Sequence, residues 1–532
     1  MKQHHKATVA LCGIWAATLL YGEMFSFWVP SSWSCSSWPH LQKSSSLNST
    51  INGVGNYVKV AVIADPQIMD RTSLRLPPKS FALETVQFYT DLYMRRAFLM
   101  SILPLEPDVI LFLGDYFDGG PYLLDQEWQE SLWRYRHIFG MDAEGKYADM
   151  QVYSIPGNHD IGYPSINSHK PEVVRRYEEG FGARNFRFTI GKVEFIAVDA
   201  QTLDGDPQGN ISSMTWEFLK NASKDTQQIP RVLLTHIPLY RRDNTDCGPH
   251  RSSPIVNQRI SHSPHSQEIA YQNYVTEESS NKLLELLKPE LILSGHDHDQ
   301  CTVIHKSKSD PITEHTVGTI SWQQGNLYPS FMLLSVSNAA NANQTTAEDA
   351  LLSQLCFLPM QTHIYIWYAA LFVLTLLTLL FWPTSGISFE RYSSGFLACF
   401  RFYSSMFRGE TKEKNEDEHF EYEEMWDAEG TMHLVKKPLN IPISRLGDNA
   451  SVERGNAVMR PTARKNITPE MEISVNIDGN MDPNIKLSHK TSKSMTKIII
   501  QRLIRTVCMV VVIAAVNVPI YMMLLFKDWI DL

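Results

Sequence analysis

Short apolar runs in the first part of the chain are each followed at once by Asp, Asn or His. Runs of about four to eight apolar residues that are bounded by turn residues predict buried β-strands. In an open α/β sheet, ligands bind outside the carboxyl ends of the strands. The polar residues that follow the runs are therefore predicted to share one site. The runs cover residues 57–64, 109–113, 152–155, 231–235 and 291–294.

The segments between these runs predict helices and a change in strand direction. Helical patterning covers residues 81–103, 128–139 and 281–287, so the first strands and helices alternate, which predicts parallel pairing. Residues 186–190 and 193–199 flank Gly191-Lys192, which is typical of a tight hairpin turn. Antiparallel strands therefore join the sheet later, and the run at 331–336 is predicted to be its closing strand. The expected fold class is α/β with mixed sheets.

Three long apolar segments divide the chain between membrane and water. Residues 1–29 combine a basic tail with a strongly apolar run, which predicts a transmembrane signal anchor, although a cleaved secretory signal fits the same pattern. Residues 364–382 and 506–526 are each long enough to cross a bilayer. Lys and Arg gather between these two segments, so the positive-inside rule places that connection in the cytoplasm and residues of about 30–363 in the lumen.

This topology gives a complete set of predicted segments. The connection at 383–505 is polar and poorly periodic, with an acidic stretch at 413–424, which predicts a largely disordered, solvated segment or, alternatively, a docking site for trafficking factors. The predicted segments are 1–29, a cytoplasmic tail and signal anchor; 30–56, a lumenal linker; 57–340, the lumenal domain that contains the strand runs; 341–363, a lumenal linker; 364–382, a transmembrane helix; 383–505, cytoplasmic; 506–526, a transmembrane helix; and 527–532, a short lumenal tail.

Charge and cysteine content narrow the picture further. A net charge of −9 over 532 residues lacks the basic footprint of a nucleic-acid-binding protein. Among the seven cysteines, Cys399 follows a membrane segment and is a candidate for palmitoylation. Cys247 and Cys301 both closely follow strands that end at the predicted site, so we expect them to pair, with two free buried thiols as the alternative. The cysteines placed in the lumen, where disulfides persist, are Cys35, Cys247, Cys301 and Cys356.

The residues that follow the strands are oxygen and imidazole ligands without a thiolate. That mixture suits manganese, iron or zinc in five- or six-coordinate sites, whereas a structural zinc site would normally use cysteine. Two metals about 3.5 to 4 Å apart could share one carboxylate and clamp the attacking and leaving oxygens of a displacement at phosphorus. Asp115 is the expected bridge. The predicted ligands are Asp65, Asp115, Asn158, His236, His296 and His298.

Two neighbours of these ligands have candidate roles of their own. His159 stands beside Asn158 in one turn, so it can face the substrate and stabilise developing charge or donate a proton to the leaving oxygen; the alternative is a histidine that caps the turn. Asp118 lies three residues after Asp115. It could orient a group at the site or form a local Asx-turn, and the sequence favours neither role.

At this point the motifs resemble the five-block signature of calcineurin-like metallophosphoesterases. The resemblance implies a four-layer αββα sandwich around a dinuclear site, with one metal held by Asp65, Asp115 and His298. The other metal would be held by Asp115, Asn158, His236 and His296. In the first block, Gln67 stands where the family usually has histidine, and an amide oxygen is a weaker candidate ligand. The blocks are Asp65-x-Gln67, Gly114-Asp115-x-x-Asp118, Gly157-Asn158-His159-Asp160, His236 and Gly295-His296-x-His298.

The residues around the blocks narrow the resemblance. Together with the membrane segments they are similar to the metallophosphoesterase-1 family of the early secretory pathway. That resemblance implies two divalent ions, with manganese as the usual metal, and a multi-pass protein of the endoplasmic reticulum or Golgi membrane. It also implies hydrolysis of an ethanolamine-phosphate branch from GPI-anchor mannose, with GPI-anchored proteins or the GPI lipid as substrate. The segments concerned are 63–68, 114–120, 236–241, 295–301 and 321–325.

The loop after His236 supplies candidate substrate-binding residues, Tyr240 and Arg241, with further arginines at 242, 251 and 259. Arginine forks match phosphate oxygens, while the alternative is a solvated surface loop. Two other functions fit the same chain. One is a lumenal phosphoesterase that acts on another glycan or phospholipid, and the other is a catalytically dead fold retained as a membrane cargo receptor. The intact set of ligand residues argues against the second.

Overall fold

The computed structural model describes most of the chain, which divides into two compact units. The first unit comprises Met1–Trp382 with Ile499–Leu532, and the second comprises Pro383–Ile498. The described residues are 2–39, 57–141, 150–167, 169–205, 210–224, 229–264, 266–306, 311–338, 350–381, 420–426, 432–438 and 495–530.

The first sheet of the first unit is mixed. Its strands are β1 (Tyr57–Ile63), β2 (Val109–Phe112), β3 (Gln151–Ser154), β12 (Ser330–Ser337) and β13 (Leu351–Phe357). They lie in the order β13-β12-β1-β2-β3. Strands β1, β2 and β3 pair in parallel, while β12 is antiparallel to β1 and to β13. The predicted parallel pairing of the first strands is confirmed.

The second sheet is mixed as well. Its strands are β4 (Phe186–Ile190), β5 (Val193–Val198), β6 (Arg231–Thr235), β9 (Leu291–Ser294), β10 (Cys301–His305) and β11 (Ile312–Thr316), in the order β10-β11-β9-β6-β5-β4. Gly191, with a φ of 55°, makes the tight turn between β4 and β5, as predicted. A separate small hairpin pairs β7 (Ile260–His262) with β8 (Ile269–Gln272).

Alternating side chains of the strands produce four layers. In β1, Val60 and Val62 enter an apolar core shared with the second sheet, whereas Ala61 and Ile63 enter a core shared with helices, because successive residues of a strand face opposite sides. Helices α3, α4 and α7 cover the first sheet, and α8 and α9 cover the second. This arrangement is the predicted αββα sandwich. The helices are α3 (Phe81–Arg96), α4 (Asp125–Ile138), α5 (Asn158–Ile161), α6 (Pro164–Asn167), α7 (Pro171–Phe181), α8 (Asn210–Ser223) and α9 (Glu277–Leu287).

The folded domain extends past the predicted boundary at residue 340. Strand β12 does not close the sheet, because β13 pairs with it from Ser330↔Phe357 to Val336↔Leu351. The interpretation of 341–363 as a linker is therefore wrong for β13. Ser353 and Gln354 interrupt the apolar pattern of this edge strand. A strand before the apolar segment that follows was therefore not recognised from the sequence. Cys356, at the end of β13, forms a disulfide with Cys35.

Within the described part of the first unit, three helices are long and apolar enough to cross a membrane: Lys6–Ser34, Gln361–Phe381 and Ile499–Trp529. The first begins as α1 (Lys2–Leu20) and continues through Tyr21–Phe25, α2 (Ser26–Val29) and Pro30–Ser34. The others are α10 (Gln361–Phe381) and α11 (Met495–Trp529). The first and third helices run beyond the predicted segments 1–29 and 506–526, because polar residues that carry a helix out of a bilayer are invisible to hydropathy alone.

The apolar helix α10 starts at the edge of the sheet where the parallel strands end. Val62 of β1 pairs with Met332 of β12, and Phe357 pairs with Ser330. Phe357 therefore lies level with the end of β1, and α10 begins four residues later at Gln361. The carboxyl ends of the strands and the start of this helix share one edge of the domain.

In the second unit the described residues include one hairpin. It pairs β14 (Phe420–Trp426) with β15 (Met432–Pro438) in antiparallel fashion. The prediction of a largely disordered segment did not anticipate these two strands. Cys399, the candidate for palmitoylation, lies outside the described residues.

Candidate metal centre

The loops that follow β1, β2, β3, β6 and β9 bring the six predicted ligands to one place. Two groups of side chains each have ligand atoms within 4.8 Å of one another, and Asp115 belongs to both. The Nε2 atom of His236 lies 3.1 Å from Asn158 Oδ1 and 3.2 Å from Asp115 Oδ2, so Asn158 joins the first group. The groups are Asp115, His236 and His296, and Asp65, Asp115 and His298.

Backbone conformations with positive φ direct these side chains towards the site. Several residues there have positive φ, a conformation that is uncommon for residues other than glycine and is tolerated best by Asp, Asn and His. Such conformations cluster at functional sites, where the surrounding structure enforces them. They occur here directly after the strands, so the backbone changes direction at the points where the ligand side chains enter the site. The residues are Asp65 (49°), Gln67 (40°), Asp115 (55°), His296 (69°) and His298 (56°).

Asp160 holds two of these loops together, a role that the sequence did not reveal. Its carboxylate accepts hydrogen bonds from the backbone N–H groups of Asp115, Tyr116 and Gly157, each at 2.8 Å. Gly157 is required at this contact, because a Cβ there would lie 2.0 Å from Asp115 Oδ1. The only sequence signal was the position of Asp160 at the end of the third block.

Burial sets the protonation of the cluster. Burial raises the pKa of Asp65 to about 8, against the opposing charge of His236. Burial acts on Asp115 in the same direction, but His236 and His159 outweigh it and hold the pKa of that carboxyl below its usual range. Burial lowers the pKa of His296 to about 3 and that of His298 to about 4. Both imidazoles are therefore neutral near pH 7, the form that binds metals.

The residues fit divalent cations. Asp65 and Asp115 are fully buried, and buried carboxylates are normally paired with cations or coordinate metals. The Nδ1 atom of His296 is also buried and has no hydrogen-bond partner among the described residues, although buried polar atoms are normally satisfied. Carboxylate, amide and imidazole donors without a thiolate suit manganese, iron or zinc. The cluster can thus accommodate two ions that share Asp115.

His159 lies beside the cluster and is partly open to solvent. Its side chain is 38% exposed, its N–H donates to Asp115 Oδ1 at 2.8 Å, and its Nδ1 lies 2.5 Å from the carbonyl oxygen of Asp118. Burial lowers the pKa of His159, but Asp115 and Asp118 outweigh it and raise the pKa above its ordinary value. With Nδ1 bonded to Asp118, Nε2 is the ring nitrogen available to a substrate. This contact orients His159 through the Asp118 backbone, while the nearer carboxylate oxygen of Asp118 lies 3.7 Å from Nδ1.

Gln67 contacts the shared carboxylate through its amide nitrogen. Its Nε2 donates to Asp115 Oδ2 at 3.1 Å, and its backbone N–H donates to the Asp115 carbonyl at 2.8 Å. Gln323 in turn donates to the Gln67 carbonyl at 3.1 Å. Gln67 therefore supports Asp115 in this structure, a contact different from the ligand role considered for it.

The prediction that Arg241 binds substrate is wrong. Arg241 is fully buried, with its Nη2 3.3 Å from Glu314 Oε1 and 2.9 Å from Thr316 Oγ1. Its guanidinium also lies 4.8 Å from the ring centroid of Tyr274. Glu314, a buried acid on β11, thus pairs with the Arg241 guanidinium, which the local sequence pattern had placed at the surface. Tyr240 is half-buried, and its N–H donates to Ser280 Oγ; its substrate role stays a prediction.

Several residues that hold the ligand loops were missed by the sequence-based interpretation. Thr319 Oγ1 donates to the Asp65 carbonyl at 2.6 Å, and Asn326 Nδ2 donates to the His298 carbonyl at 2.6 Å. Arg251, a candidate for phosphate binding, instead lies 2.7 Å from Oδ2 of Asp297, the residue between the two ligand histidines of the last block. Arg242 and Arg259 are exposed. The predicted disulfide between Cys247 and Cys301 is confirmed and ties the loop after β6 to β10.

Comparison with protein families and with relatives in sequence agrees with this geometry. The calcineurin-like phosphoesterase family matches residues 58–300. Cell division control protein 1 of Saccharomyces cerevisiae is 31% identical over 328 residues, which cover 58% of this chain and 63% of that protein, less than two thirds of its length. Metallophosphoesterase 1 of Ailuropoda melanoleuca is 30% identical over 294 residues, 52% of this chain and 68% of that protein. Among solved structures, vacuolar protein sorting 29 of Cryptosporidium parvum is 13% identical, covering 57% of this chain and 98% of that chain with a TM-score of 0.22.

Proposed function

This chain belongs to the calcineurin-like phosphoesterase family, and from that membership we propose that it is a membrane-anchored, metal-dependent phosphodiesterase. Its proposed reaction removes an ethanolamine-phosphate branch from a mannose of GPI anchors. The observation that carries the phosphoesterase chemistry is the pair of ligand groups that share Asp115. The substrate is proposed from the resemblance of the motifs alone, whereas the relatives named metallophosphoesterase 1 support the phosphoesterase activity.

We assign one metal ion to each of the two groups of side chains. Asp65, Asp115 and His298 would hold one ion, and Asp115, Asn158, His236 and His296 the other, with manganese as the proposed metal. Bound there, two ions would supply a nucleophilic water at neutral pH and neutralise charge on the phosphoryl oxygens. His159 would donate a proton from Nε2 to the leaving mannose oxygen. The raised pKa of His159 favours the protonated ring for that transfer, and the backbone carbonyl of Asp118 orients it.

The proposed location is the membrane of the endoplasmic reticulum or Golgi, with the catalytic domain in the lumen. The disulfides Cys35–Cys356 and Cys247–Cys301 support an oxidising compartment. The three helices that can span a bilayer would place the site on the same surface as a lipid-anchored substrate. The segment between α10 and α11 would face the cytoplasm, where trafficking factors could dock.

The test is mass spectrometry of GPI glycans from cells that lack this protein. Cells rescued with the wild type should lose the ethanolamine-phosphate branch, whereas cells rescued with Asp115→Ala should retain it. Unchanged glycans in all three lines would remove the GPI assignment and leave another glycan or phospholipid as the substrate. Metal analysis distinguishes the remaining alternative, because a catalytically dead fold should lack stoichiometric metal while the enzyme should carry nearly two ions per chain.

A further inference from the structure

An apolar groove of about 380 Å³ lies between the first spanning helix and α10. One wall is formed by the end of the first helix and the other by the start of α10 and the residues that lead into it. The two helices touch at Gly22, where an added Cβ would lie 2.1 Å from Tyr368 Oη and 2.8 Å from Ile364 Cγ2. The groove follows this crossing. Its walls include Val29, Pro30, Phe357, Met360, Ile364 and Trp367.

Helix length places the groove across the surface of the bilayer. The first helix has 29 residues from Lys6 to Ser34, or about 43 Å at about 1.5 Å per residue, whereas the hydrocarbon core is about 30 Å thick. The helix is therefore about 13 Å longer than the hydrocarbon core is thick. Trp28, Trp33 and Trp367 are exposed around the groove, as expected for residues at a membrane interface. With these tryptophans at the interface, one end of the groove would open into lipid and the other would lie above it.

Two short chains of contacts join the groove to the metal centre. On one side, the Phe357 ring lies 6.1 Å from that of Tyr328, and Asn326, two residues before Tyr328, donates to the carbonyl of His298. On the other side, the ring of Tyr365 in α10 lies 5.6 Å from that of Trp322. The next residue, Gln323, bonds to Gln67. The metal centre is therefore a few residues from the upper end of the groove.

We infer that this groove binds an acyl chain of the lipid that carries the substrate, so that the phosphodiester is presented to the metal centre from the membrane. The inference rests on the proposed function and adds the subsite that selects lipid-linked over soluble substrate. The apolar lining and the opening into the hydrocarbon fit an acyl chain. The contacts to His298 and Gln67 place the occupant's polar end on the side of the catalytic residues.

The test compares a GPI-anchored protein in vesicles with the same protein after a phosphatidylinositol-specific phospholipase C has removed its diacylglycerol. Val29→Trp and Met360→Trp should fill the groove from its two walls. Leu374→Trp is the matched control, because Leu374 lies on α10, is 59% exposed and does not line the groove. Bis(p-nitrophenyl) phosphate, a soluble diester without a lipid, reports whether each full-length variant is folded and active.

For the wild type, we expect the KM for the lipid-bearing protein to be about tenfold lower than that for the lipid-free form, or about 1.4 kcal/mol. Each groove variant should raise the lipid-bearing KM by a similar factor and leave hydrolysis of the soluble diester unchanged, whereas Leu374→Trp should match the wild type. An equal wild-type KM for the lipid-bearing and lipid-free forms, or groove variants with wild-type KM, would show that the groove does not bind the substrate's acyl chain. A wild type that hydrolyses the soluble diester but neither form of the GPI protein would remove the proposed function, and the groove inference with it.

Discussion

Asp115 belongs to both groups of candidate ligands, so its removal should cost more metal than the loss of any residue that serves one group. We predict that Asp115→Ala lowers the metal content from nearly two ions per chain to less than one and abolishes hydrolysis of bis(p-nitrophenyl) phosphate. His159→Ala should retain both ions and lose about 10²- to 10⁴-fold in kcat, the usual contribution of a positioned acid. Elemental analysis and steady-state kinetics measure both effects. Metal loss in His159→Ala as severe as in Asp115→Ala would contradict the role assigned to His159.

The buried pair of Glu314 and Arg241 makes stability depend on pH. Burial raises the pKa of Glu314, but Arg241 and His305 outweigh it and lower the pKa below the ordinary value of 4.5. The carboxylate therefore stabilises the fold fully above pH 4.5, and this contribution is lost as the pH falls through the lower pKa of the folded state. Glu314→Gln leaves Arg241 buried without its counter-charge, which should cost about 3 kcal/mol near neutral pH.

Thermal unfolding of the detergent-solubilised chain at a series of pH values measures this difference. The gap in Tm between wild type and Glu314→Gln should be widest near neutral pH and narrow below pH 4.5. Glu217→Gln is the control, since Glu217 lies exposed on α8 and should change Tm little at any pH. A gap that stays constant as the pH falls would mean that Glu314 is not ionised in the folded protein.

Individual residues of the site differ in how far the sequence could predict them. The six candidate ligands could be predicted because each follows an apolar run and has a side chain suited to metals. Arg241 could not, because its burial depends on Glu314, which reaches it from β11. Nothing within a few residues of Arg241 encodes that partner. Asp160 was similarly hidden, because its role consists of hydrogen bonds to the backbone of another loop.

Elements were predictable where periodicity or apolar runs were strong, as in β1, β2 and the helices that cover them. Strand β13 was missed because Ser353 and Gln354 break its pattern, yet it is fastened to the rest of the chain by the disulfide between Cys356 and Cys35, 321 residues apart in sequence. A cross-link over so long a loop restricts the unfolded chain strongly. The disulfide is therefore expected to stabilise the whole of strand β13 and not a single contact within it.

We predict that Cys356→Ser lowers the stability of the domain by about 2 to 4 kcal/mol and loosens β13 at the sheet edge. Thermal unfolding measures the stability, and hydrogen exchange measures the opening of β13. Cys508→Ser is the control, because Cys508 is a free cysteine of α11. Equal losses in the two variants would show that the disulfide does not contribute to the folded domain.

At the scale of the whole molecule, the predicted topology can be read from glycosylation. Sequons at Asn48, Asn210, Asn221 and Asn343 fall in the predicted lumenal part, and those at Asn449 and Asn466 fall in the predicted cytoplasmic segment. Asn221 is exposed on α8. We expect N-glycosidase treatment to reduce the apparent mass, and an Asn221→Gln variant to lose one glycan. Glycans at Asn449 or Asn466 would show that the predicted topology is inverted and that the metal centre faces the cytoplasm.

Arg96, at the end of α3, joins the catalytic domain to all three spanning helices. Its Nη1 lies 2.5 Å from Glu23 Oε2 and its Nε 3.1 Å from Asp528 Oδ2, while Tyr368 donates to the other oxygen of Glu23 at 2.9 Å. The side chains of Arg96, Glu23 and Asp528 are 3%, 2% and 8% exposed. Arg96 thus pairs with two buried carboxylates at the point where the domain meets these helices.

Removal of that cation alone should cost more than removal of the whole charged cluster, because a buried charge without its partner is the expensive state. We predict that Arg96→Met lowers the stability of the solubilised chain by about 3 to 5 kcal/mol. Arg96→Met combined with Glu23→Gln and Asp528→Asn should recover part of that loss. Thermal unfolding in detergent compares the variants, and no recovery in the triple variant would mean that the cluster acts through packing. If the charges do act, the orientation of the metal centre relative to the bilayer depends on Arg96, and Arg96→Met should impair hydrolysis of a lipid-linked substrate more than that of bis(p-nitrophenyl) phosphate.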